Sequence, residues 1–340
     1  MTSATPPPRT IRVGTRGSAL ARAQSGMIAR ALESAAAAAG EPVGVELVPV
    51  RTQGDVDASS LAGLGGVGAF AAALRLAVLN GQCDLAVHSF KDLPTAPVRG
   101  LRVWATPKRE DPRDALCGRN GMDLDDLPRG ARVGTGSPRR AAQLLLRRPD
   151  LQIVDIRGNV PTRLSRVAGT GVWPDGPLGA RRPELDAVVL AMAGLLRLGL
   201  ADRVTEAFDE DVMLPAASQG ALAVEARADA DPFLASLLTG LDHAATRAEV
   251  TAERALMEGL GAGCAAPVGV LAQVDERGLL LDAAVIALSG SEAVRSRLRI
   301  PDTRDAEALG HRLASDLLGY GAGDVADLHA TKPHRAGEQR

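Results

Sequence analysis

The sequence predicts an α/β protein made of two related doubly wound domains, followed by a smaller α+β domain. Two glycine turns, at residues 14–18 and 134–137, each connect an apolar strand to a helix-forming stretch. A short apolar strand opened by an aspartate follows later in each unit, at residues 84–87 and 186–189. Because both units have the same order of elements, we expect a duplicated domain, with the glycine turns facing a cleft between the copies.

Length and composition restrict the classes of protein to consider. A chain of 340 residues with 46% hydrophobic content can bury the cores of two or three domains. A net charge of -2 and a pI near 6.2 argue against a general nucleic-acid-binding protein. Three widely spaced cysteines fit neither a disulfide framework nor a zinc site, and no stretch is apolar enough for a signal peptide or membrane helix. We expect a monomer in the reducing cytoplasm, bound to neither nucleic acid nor membrane.

Local signals set the expected elements and boundaries. In the second unit, Ser137 is placed to cap a helix that begins at Pro138. From His243 the pattern changes to a helix, a glycine-rich loop at residues 259–267, three strands and a last helix. The predicted boundaries are domain 1 at 10–107 plus 216–240, domain 2 at 108–215, domain 3 at 241–320 and a disordered tail at 321–340. A Gly- and Pro-rich stretch at residues 168–184 predicts a surface insertion.

Arginines near the predicted helix starts are candidates for binding an anion. A helix N-terminus offers backbone donors and a favourable dipole, and a neighbouring guanidinium adds bidentate pairing. Arg16, Arg139 and Arg140 have this setting. In an arginine-rich chain they could also be ordinary surface residues. Further arginines follow other predicted strands or lie among apolar residues, namely Arg157, Arg163 and Arg197. This set suits a polyanion, and the pattern does not separate phosphates from carboxylates.

The segment at residues 87–94 places polar side chains directly after a strand, at the sheet edge where open α/β folds bind ligands. Asp92 is the candidate acidic group there. It could instead cap the next turn or pair with Lys91. His88 is more often a packed histidine than a catalyst, and no His, Cys or Asp spacing predicts a metal site.

Cys264 lies in the glycine-rich loop, whereas Cys83 and Cys117 lie beside apolar strands. A thiol in a flexible loop is accessible and can react, while a buried thiol usually packs. Composition alone leaves open whether Cys264 has a chemical role.

Together, these segments resemble the hydroxymethylbilane synthase (porphobilinogen deaminase) family over nearly the whole chain from Ile11 to about Leu318. The matching motifs are Gly14-Thr15-Arg16-Gly17-Ser18, Val87-His88-Ser89-Phe90-Lys91-Asp92-Leu93-Pro94, Arg109-Glu110-Asp111-Pro112-Arg113-Asp114, Gly134-Thr135-Gly136-Ser137-Pro138-Arg139-Arg140, Arg157-Gly158-Asn159, Leu214-Pro215, Gln219-Gly220-Ala221 and Gly263-Cys264. The resemblance implies two periplasmic-binding-protein-like domains around a cleft and a small C-terminal domain that carries the cofactor cysteine.

The resemblance also implies the activity. A dipyrromethane cofactor would be held by a thioether to Cys264, and four porphobilinogen units would be condensed on it head to tail with loss of ammonia before water releases hydroxymethylbilane. Asp92 matches the family's catalytic aspartate, which would stabilise positive charge that develops on a pyrrole. The family's carboxylate-binding positions fall on Arg16, Arg139, Arg140, Arg157, Arg163 and Arg197, with Ser18, Lys91, Thr135 and Ser137 as neighbouring contacts.

One loop departs from the family pattern, and two other functions compete with the one that the family implies. The loop at residues 61–70 carries no charge where many relatives have lysines, which puts its role as a charged lid in doubt. The alternative function is a two-lobed organic-anion-binding protein without catalysis, which would use the same arginines but would not need Cys264. A nucleotide-binding enzyme is disfavoured because neither glycine turn has the GxGxxG or GxxxxGK[ST] spacing.

Overall fold

A computed structural model describes residues 9–50, 68–167, 184–263 and 265–329 of the chain. The strands, in chain order, are β1 (Arg9–Thr15), β2 (Val43–Pro49), β3 (Leu85–Ser89), β4 (Leu101–Ala105), β5 (Asp114–Gly118), β6 (Arg132–Gly134), β7 (Gln152–Val154), β8 (Ala187–Ala191), β9 (Glu206–Ala207), β10 (Leu222–Arg227), β11 (Val268–Asp275), β12 (Gly278–Ile286) and β13 (Ala293–Ile300). The helices are α1 (Ala19–Ala38), α2 (Gly68–Leu79), α3 (Pro138–Arg147), α4 (Val160–Leu164), α5 (Met192–Arg197), α6 (Pro232–Gly240), α7 (Ala244–Gly259), α8 (Ala306–Gly319) and α9 (Ala322–Val325).

The first two sheets have the same topology. One has the order β2-β1-β3-β10-β4 and the other the order β7-β6-β8-β5-β9. In each, the first three strands are parallel, and the fourth is antiparallel to both of its neighbours. In both sheets the antiparallel strand lies far along the chain from the two strands with which it pairs. This correspondence confirms the predicted pair of related α/β domains.

The aspartate that precedes β3 or β8 fixes the register of its sheet in the same way. Asp84 Oδ2 accepts a hydrogen bond from the backbone N–H of Arg12 at 2.7 Å, and the Asp84 N–H donates to the Arg12 carbonyl at 2.8 Å. Asp186 makes the equivalent pair of bonds with Arg132, at 2.7 and 2.9 Å. Both aspartates therefore align the central parallel strands, which explains why the two strands open on the same residue type.

Each α/β domain has hydrophobic cores on both faces of its sheet. In the first, Ile28 and Leu32 of α1 pack on one face, and Leu74 of α2 packs on the other. In the second, Leu144 of α3 covers one face, and Leu195 of α5 covers the opposite face. Apolar residues on both sides of a strand need cover on both sides, so the doubly wound arrangement follows from the sequence of the strands.

The C-terminal domain is an antiparallel sheet of order β11-β12-β13, packed against α7 and α8. Its order of a helix, three strands and a last helix is the predicted one. The expectation of a disordered tail is wrong for residues 321–329, because Ala322 and Leu328 are buried in the core of this domain. The predicted insertion, apart from Glu184, and the side chains of the uncharged loop at residues 61–70 lie outside the described residues.

The chain separates into two compact units. Unit 1 comprises Met1–Arg109 and Ala221–Arg247, and unit 2 comprises Glu110–Gly220 and Ala248–Arg340. The first α/β domain forms unit 1, while the second α/β domain and the C-terminal domain belong to unit 2. In the described ranges, no helix has both the length and the apolar character needed to span a membrane.

Candidate active site

In unit 1, the predicted site residues follow the carboxyl ends of two adjacent parallel strands. Arg16 and Ser18 follow β1, and Ser18 caps α1 by accepting the N–H of Ala21 at 3.2 Å. Lys91 and Asp92 lie in a single 3₁₀ turn directly after β3, and both are exposed. Because β1 and β3 are paired, their ends bring these two sequence-distant motifs to one edge of the sheet.

Arg16 and Asp92 line the same small cavity, whose volume is about 30 Å³. Its polar wall also contains Gln24, His88 and Ser89, and Ala21, Ala71, Leu74 and Val87 complete it. The Ser89 hydroxyl and the Gln24 side-chain amide are hydrogen-bonded at 2.9 Å. The fold therefore places the candidate acid and the candidate carboxylate-binding arginine of unit 1 around one space.

His88 belongs to a buried ionic group behind this cavity. Its Nε2 lies 3.3 Å from Oε2 of Glu225, and the guanidinium of Arg75 binds the same carboxylate with contacts of 3.0–3.2 Å. Burial by itself would raise the pKa of Glu225, but hydrogen bonds from His88 and Arg75 outweigh burial and hold that pKa below its ordinary value. The packed setting predicted for His88 is the one observed, since its side chain is 5% exposed.

In unit 2, Thr135 and Ser137 form the turn between β6 and α3. The Ser137 N–H donates to the Thr135 hydroxyl at 3.2 Å, and Ser137 caps α3 by accepting the N–H of Arg140. Gly136 is needed in this turn, because a Cβ there would lie 2.6 Å from the backbone oxygen of Ile156. The predicted cap and the first helical proline are both confirmed.

Arg139 and Arg140 are nearly inaccessible and share one buried carboxylate. Asp114, at the start of β5, lies 2.7 Å from each guanidinium, and Gln219 Nε2 donates to its Oδ1 at 2.8 Å. The side chains are 5% and 7% exposed for the two arginines and 0% for Asp114. Burial would raise the pKa of Asp114, but the two arginines reverse this effect and lower it strongly. Asp114 is therefore an internal partner of both arginines that the sequence analysis did not predict.

This group of residues carries excess positive charge. Arg140 and Arg157 lie close enough to Arg163 for their charges to act on it, while Asp155 lies 3.6 Å from Arg157. Burial and the like charges of Arg140 and Arg157 lower the pKa of the Arg163 guanidinium. Four arginines, Arg139 included, stand against the two aspartates Asp114 and Asp155, which leaves two positive charges in excess. A ligand rich in carboxylates would offset them.

Arg197 has a different environment from the other arginines. It lies at the end of α5, and its Nη2 donates to the carbonyl of Gly220 at 2.6 Å. Burial lowers the pKa of Arg197, although the charge of Glu110 acts in the opposite direction. Gly220 itself has a φ of +86°, and a Cβ there would lie 2.4 Å from the Glu110 carbonyl oxygen. The described contacts connect Arg197 to this glycine rather than to the arginine group.

Comparisons with known proteins agree with this arrangement. The family model described as porphobilinogen deaminase, dipyromethane cofactor binding domain, matches residues 11–235, and that of the porphobilinogen deaminase C-terminal domain matches residues 247–319. Porphobilinogen deaminase of Cutibacterium acnes is 51% identical over 94% of this chain and 98% of its own. The enzyme of Thermobifida fusca is 50% identical over 94% of this chain and 97% of its own. The chain belongs to the porphobilinogen deaminase family.

The porphobilinogen deaminase family consists of transferases of porphyrin biosynthesis that act on porphobilinogen, and its larger domain binds a dipyrromethane cofactor. Among solved structures, the methionine-binding protein MetQ matches with a TM-score of 0.40 and 12% identity, over 68% of this chain and 89% of its own. Membership of an enzyme family sets aside the alternative of an anion-binding protein without catalysis.

The described residues fit a dipyrromethane. Each of its two pyrrole rings carries an acetate and a propionate, and the two excess positive charges around Arg163 have the sign needed to attract these four carboxylates. Cys264 lies outside the described residues, and the last described position before it is Gly263. The other two thiols are buried, and burial raises the pKa of Cys117 to about 12 and that of Cys83 above its ordinary value. A buried thiol with a raised pKa is seldom ionised, so neither Cys83 nor Cys117 is suited to act as the nucleophile that binds the cofactor.

Several residues that shape this site were not singled out from the sequence. Asp114, to which Gln219 donates, binds the buried arginines of unit 2. Glu225, which Arg75 also binds, contacts His88. Asp114 and Gln219 do occur in family motifs, so a signal existed for these two. Glu225 lies on β10, whose pairing with β3 joins segments more than 130 residues apart, and no local pattern reports such a pairing.

Proposed function

We propose that the porphobilinogen deaminase reaction of this chain uses Asp92 as its catalytic carboxylate and Cys264 as the attachment point of the cofactor. In this reaction four porphobilinogen molecules are joined head to tail, each with loss of ammonia, and hydroxymethylbilane is released by water. The observation that carries the proposal is the shared cavity of Asp92 and Arg16, which places a carboxylate beside a carboxylate-binding group.

A dipyrromethane bound at Cys264 supplies the pyrrole carbon to which the first porphobilinogen is joined. Asp92 accepts a pyrrole N–H and stabilises the positive charge that develops on the ring during each condensation. Asp92 lies in a short turn held by the bond of 3.0 Å from the Leu93 N–H to the Phe90 carbonyl, which fixes the backbone of Asp92 relative to β3. A fixed charge needs no reorganisation when the charge on the ring forms, which is the source of the rate increase.

The arginines bind the ring carboxylates. Planar guanidinium groups pair with carboxylates through two parallel hydrogen bonds, so they hold the direction of each ring as well as its charge. Arg163 supplies this pairing in unit 2, with Arg157 beside it, while Arg16 supplies it in unit 1. Arg139 and Arg140, whose guanidinium groups pair with Asp114, are proposed to attract the ring carboxylates through their charge. Ser18, Lys91, Thr135 and Ser137 are proposed as neighbouring contacts, and Arg197 as a further carboxylate-binding group.

The proposal extends to the setting of the enzyme. We assign the enzyme to the cytoplasm, because the buried Cys83 and Cys117 and the cofactor-bearing Cys264 all need to remain unoxidised. We also propose that it is a monomer. We further propose three domains, at 10–107 plus 216–240, at 108–215, and from 241 to at least 329. The last domain, predicted at 241–320, includes Leu328 in its core and carries the cofactor cysteine.

An intact-mass measurement tests the attachment point. The wild-type protein should carry added mass equal to one dipyrromethane, and Cys264→Ser should lose it. Cys117→Ala is the matched control and should keep it, because the Cys117 thiol is buried and weakly acidic. Retention of the mass in Cys264→Ser would exclude Cys264 as the attachment point. A bare polypeptide in the wild type, even after incubation with porphobilinogen, would refute the covalent cofactor.

A further inference from the structure

The last described residues of the chain lie against the loop that precedes Cys264. The backbone N–H of Gly263 donates to the carbonyl of Leu328 at 2.8 Å. Two residues earlier in the loop, the carbonyl of Gly261 lies 3.1 Å from Nδ1 of His329. We call residues 327–329 the C-terminal strap. It contacts the backbone of the loop at two points, both within three residues of Cys264.

The strap is also attached to the hydrophobic core of the C-terminal domain. The Leu328 side chain is 5% exposed and belongs to the domain core, in which Ala322 of α9 is 0% exposed. The His329 N–H donates to Oδ1 of Asp327 at 3.0 Å, which closes a local turn within the strap. The strap therefore has a fixed position from which it can hold the loop.

Gly259, at the end of α7, and Gly261, in the loop, allow close packing because they have no side chain. A Cβ at Gly261 would lie 2.9 Å from Cε1 of His329, and the φ of Gly261 is +59°. A Cβ at Gly259 would lie 2.8 Å from the Cβ of Ala314 in α8. These glycines permit α8 and the strap to approach the loop backbone, so they contribute to its fixation and not only to its flexibility.

We propose that the C-terminal strap is a positioning element that holds the loop in place for attachment of the cofactor at Cys264. This inference rests on the proposed role of Cys264. A loop with three glycines in residues 259–263 samples many backbone conformations when it is free. The bond from the Gly263 amide to the Leu328 carbonyl fixes the backbone directly before the cysteine, and the strap thereby assists attachment of the cofactor.

Two truncations test the strap. Ending the chain after Ala326 removes the strap and the following residues, while ending it after His329 removes only the following residues and is the matched control. The first should increase the rate of deuterium uptake in a peptide covering residues 260–266 at least about tenfold, as expected when an amide loses its partner. The second should leave the uptake unchanged. Equal uptake in both would overturn the proposal.

A second readout reports on positioning rather than on general stability. Apo-protein from cells that make no porphobilinogen is incubated with porphobilinogen, and the rate of mass gain is followed. The truncation after Ala326 should gain mass at least about tenfold more slowly than the control, with both proteins compared without denaturant under conditions in which circular dichroism shows each to be folded. If it gains mass at the control rate, the strap does not position the loop. If the full-length chain gains no mass, the attachment at Cys264 fails instead, and deuterium uptake still decides whether the strap holds the loop.

Point substitutions cover the case in which the shorter truncation does not fold. Leu328→Ala keeps the chain length and removes the side chain that anchors the strap in the core. It should increase uptake in the loop peptide several-fold, whereas Leu318→Ala, an exposed leucine of α8, should not. His329→Ala should increase uptake, and His329→Asn, which retains a side-chain donor, should restore much of the protection. Loop uptake at the wild-type rate in both Leu328→Ala and His329→Ala would contradict the proposal.

Discussion

Asp114 and Arg140 form a buried ion pair in which Oδ1 of the carboxylate accepts from both Nε and Nη2 of the guanidinium, at 2.9 and 2.7 Å. The pair fixes the plane of the guanidinium, and a further bond from Nη1 to the Val189 carbonyl at 2.8 Å leaves it little freedom. Arg139 shares the same carboxylate. One aspartate therefore sets the direction of two arginines at the start of α3, while a net positive charge remains in the group.

Replacing Asp114 should destabilise the protein. Asp114→Asn leaves two buried guanidinium groups without their counter-charge, and we expect the free energy of unfolding to fall by about 3–5 kcal/mol. Urea denaturation at pH 7 measures it. Asp125→Asn is the control, because Asp125 pairs with Arg147 at the surface with side-chain exposures of 68% and 55%, and little change should follow. A similar small effect at Asp114 would mean that the buried pair does not support the fold.

Gly136 should not tolerate a methyl group. In Gly136→Ala the added Cβ would meet the backbone oxygen of Ile156 at 2.6 Å, so the turn holding Thr135 and Ser137 has to shift. We expect a loss of about 1–3 kcal/mol in unfolding free energy. Gly240→Ala is the control, since no atom lies within 4 Å of its Cβ position, and this change should be neutral or stabilising. Equal stability of the two variants would show that the turn absorbs the extra atom.

The carboxylate of Glu225 should contribute stability that depends on pH. Its pKa is lowered in the folded protein, so the contribution is present above the ordinary glutamate pKa of about 4.3 and is lost as the pH falls through the folded value. The stability deficit of Glu225→Gln relative to wild type should therefore be largest near pH 7 and should shrink below about pH 4. Exposed Glu41→Gln should show no such trend. A deficit that is constant with pH would contradict the ionic role of Glu225.

The substitution Asp92→Asn should separate chemistry from cofactor attachment. Loss of the fixed charge should lower kcat by roughly 10²- to 10³-fold, while intact mass still shows the dipyrromethane. Asp229→Asn, an aspartate with a side chain 71% exposed in the same unit, should retain full turnover. Unchanged turnover in Asp92→Asn would remove Asp92 from the mechanism.

Arg163 should bind a ring carboxylate through its charge and planar shape. We expect Arg163→Ala to lower kcat/KM about 10- to 100-fold, the effect of losing one or two charge-assisted hydrogen bonds. Arg163→Lys should recover only part of this loss, because an ammonium group cannot make the bidentate pairing. Arg147→Ala, at an exposed surface pair, is the control and should have wild-type kinetics. Wild-type kinetics in Arg163→Ala would place this arginine outside the binding site.

The sequence determined the elements and many of their ends, because those depend on neighbouring residues. The cap at Ser137 with Pro138 at the first helical position, the strands of the C-terminal domain and the repeated glycine turns are all local patterns, and the structure contains each of them. The repeated aspartates also indicated the duplicated topology. Asp84 and Asp186 each precede a short apolar strand, and each accepts a hydrogen bond from the neighbouring parallel strand.

Only the tertiary structure decided which groups face one another. The pairing of Asp114 with Arg140, of Glu225 with His88 and of the strap with Gly263 joins positions 26 to 137 residues apart. Such contacts depend on strand order and on which side chains a sheet face brings together, and no local spacing encodes either. The burial of Asp114 and Glu225 arises in the same way, since a side chain is desolvated by distant segments packed against it.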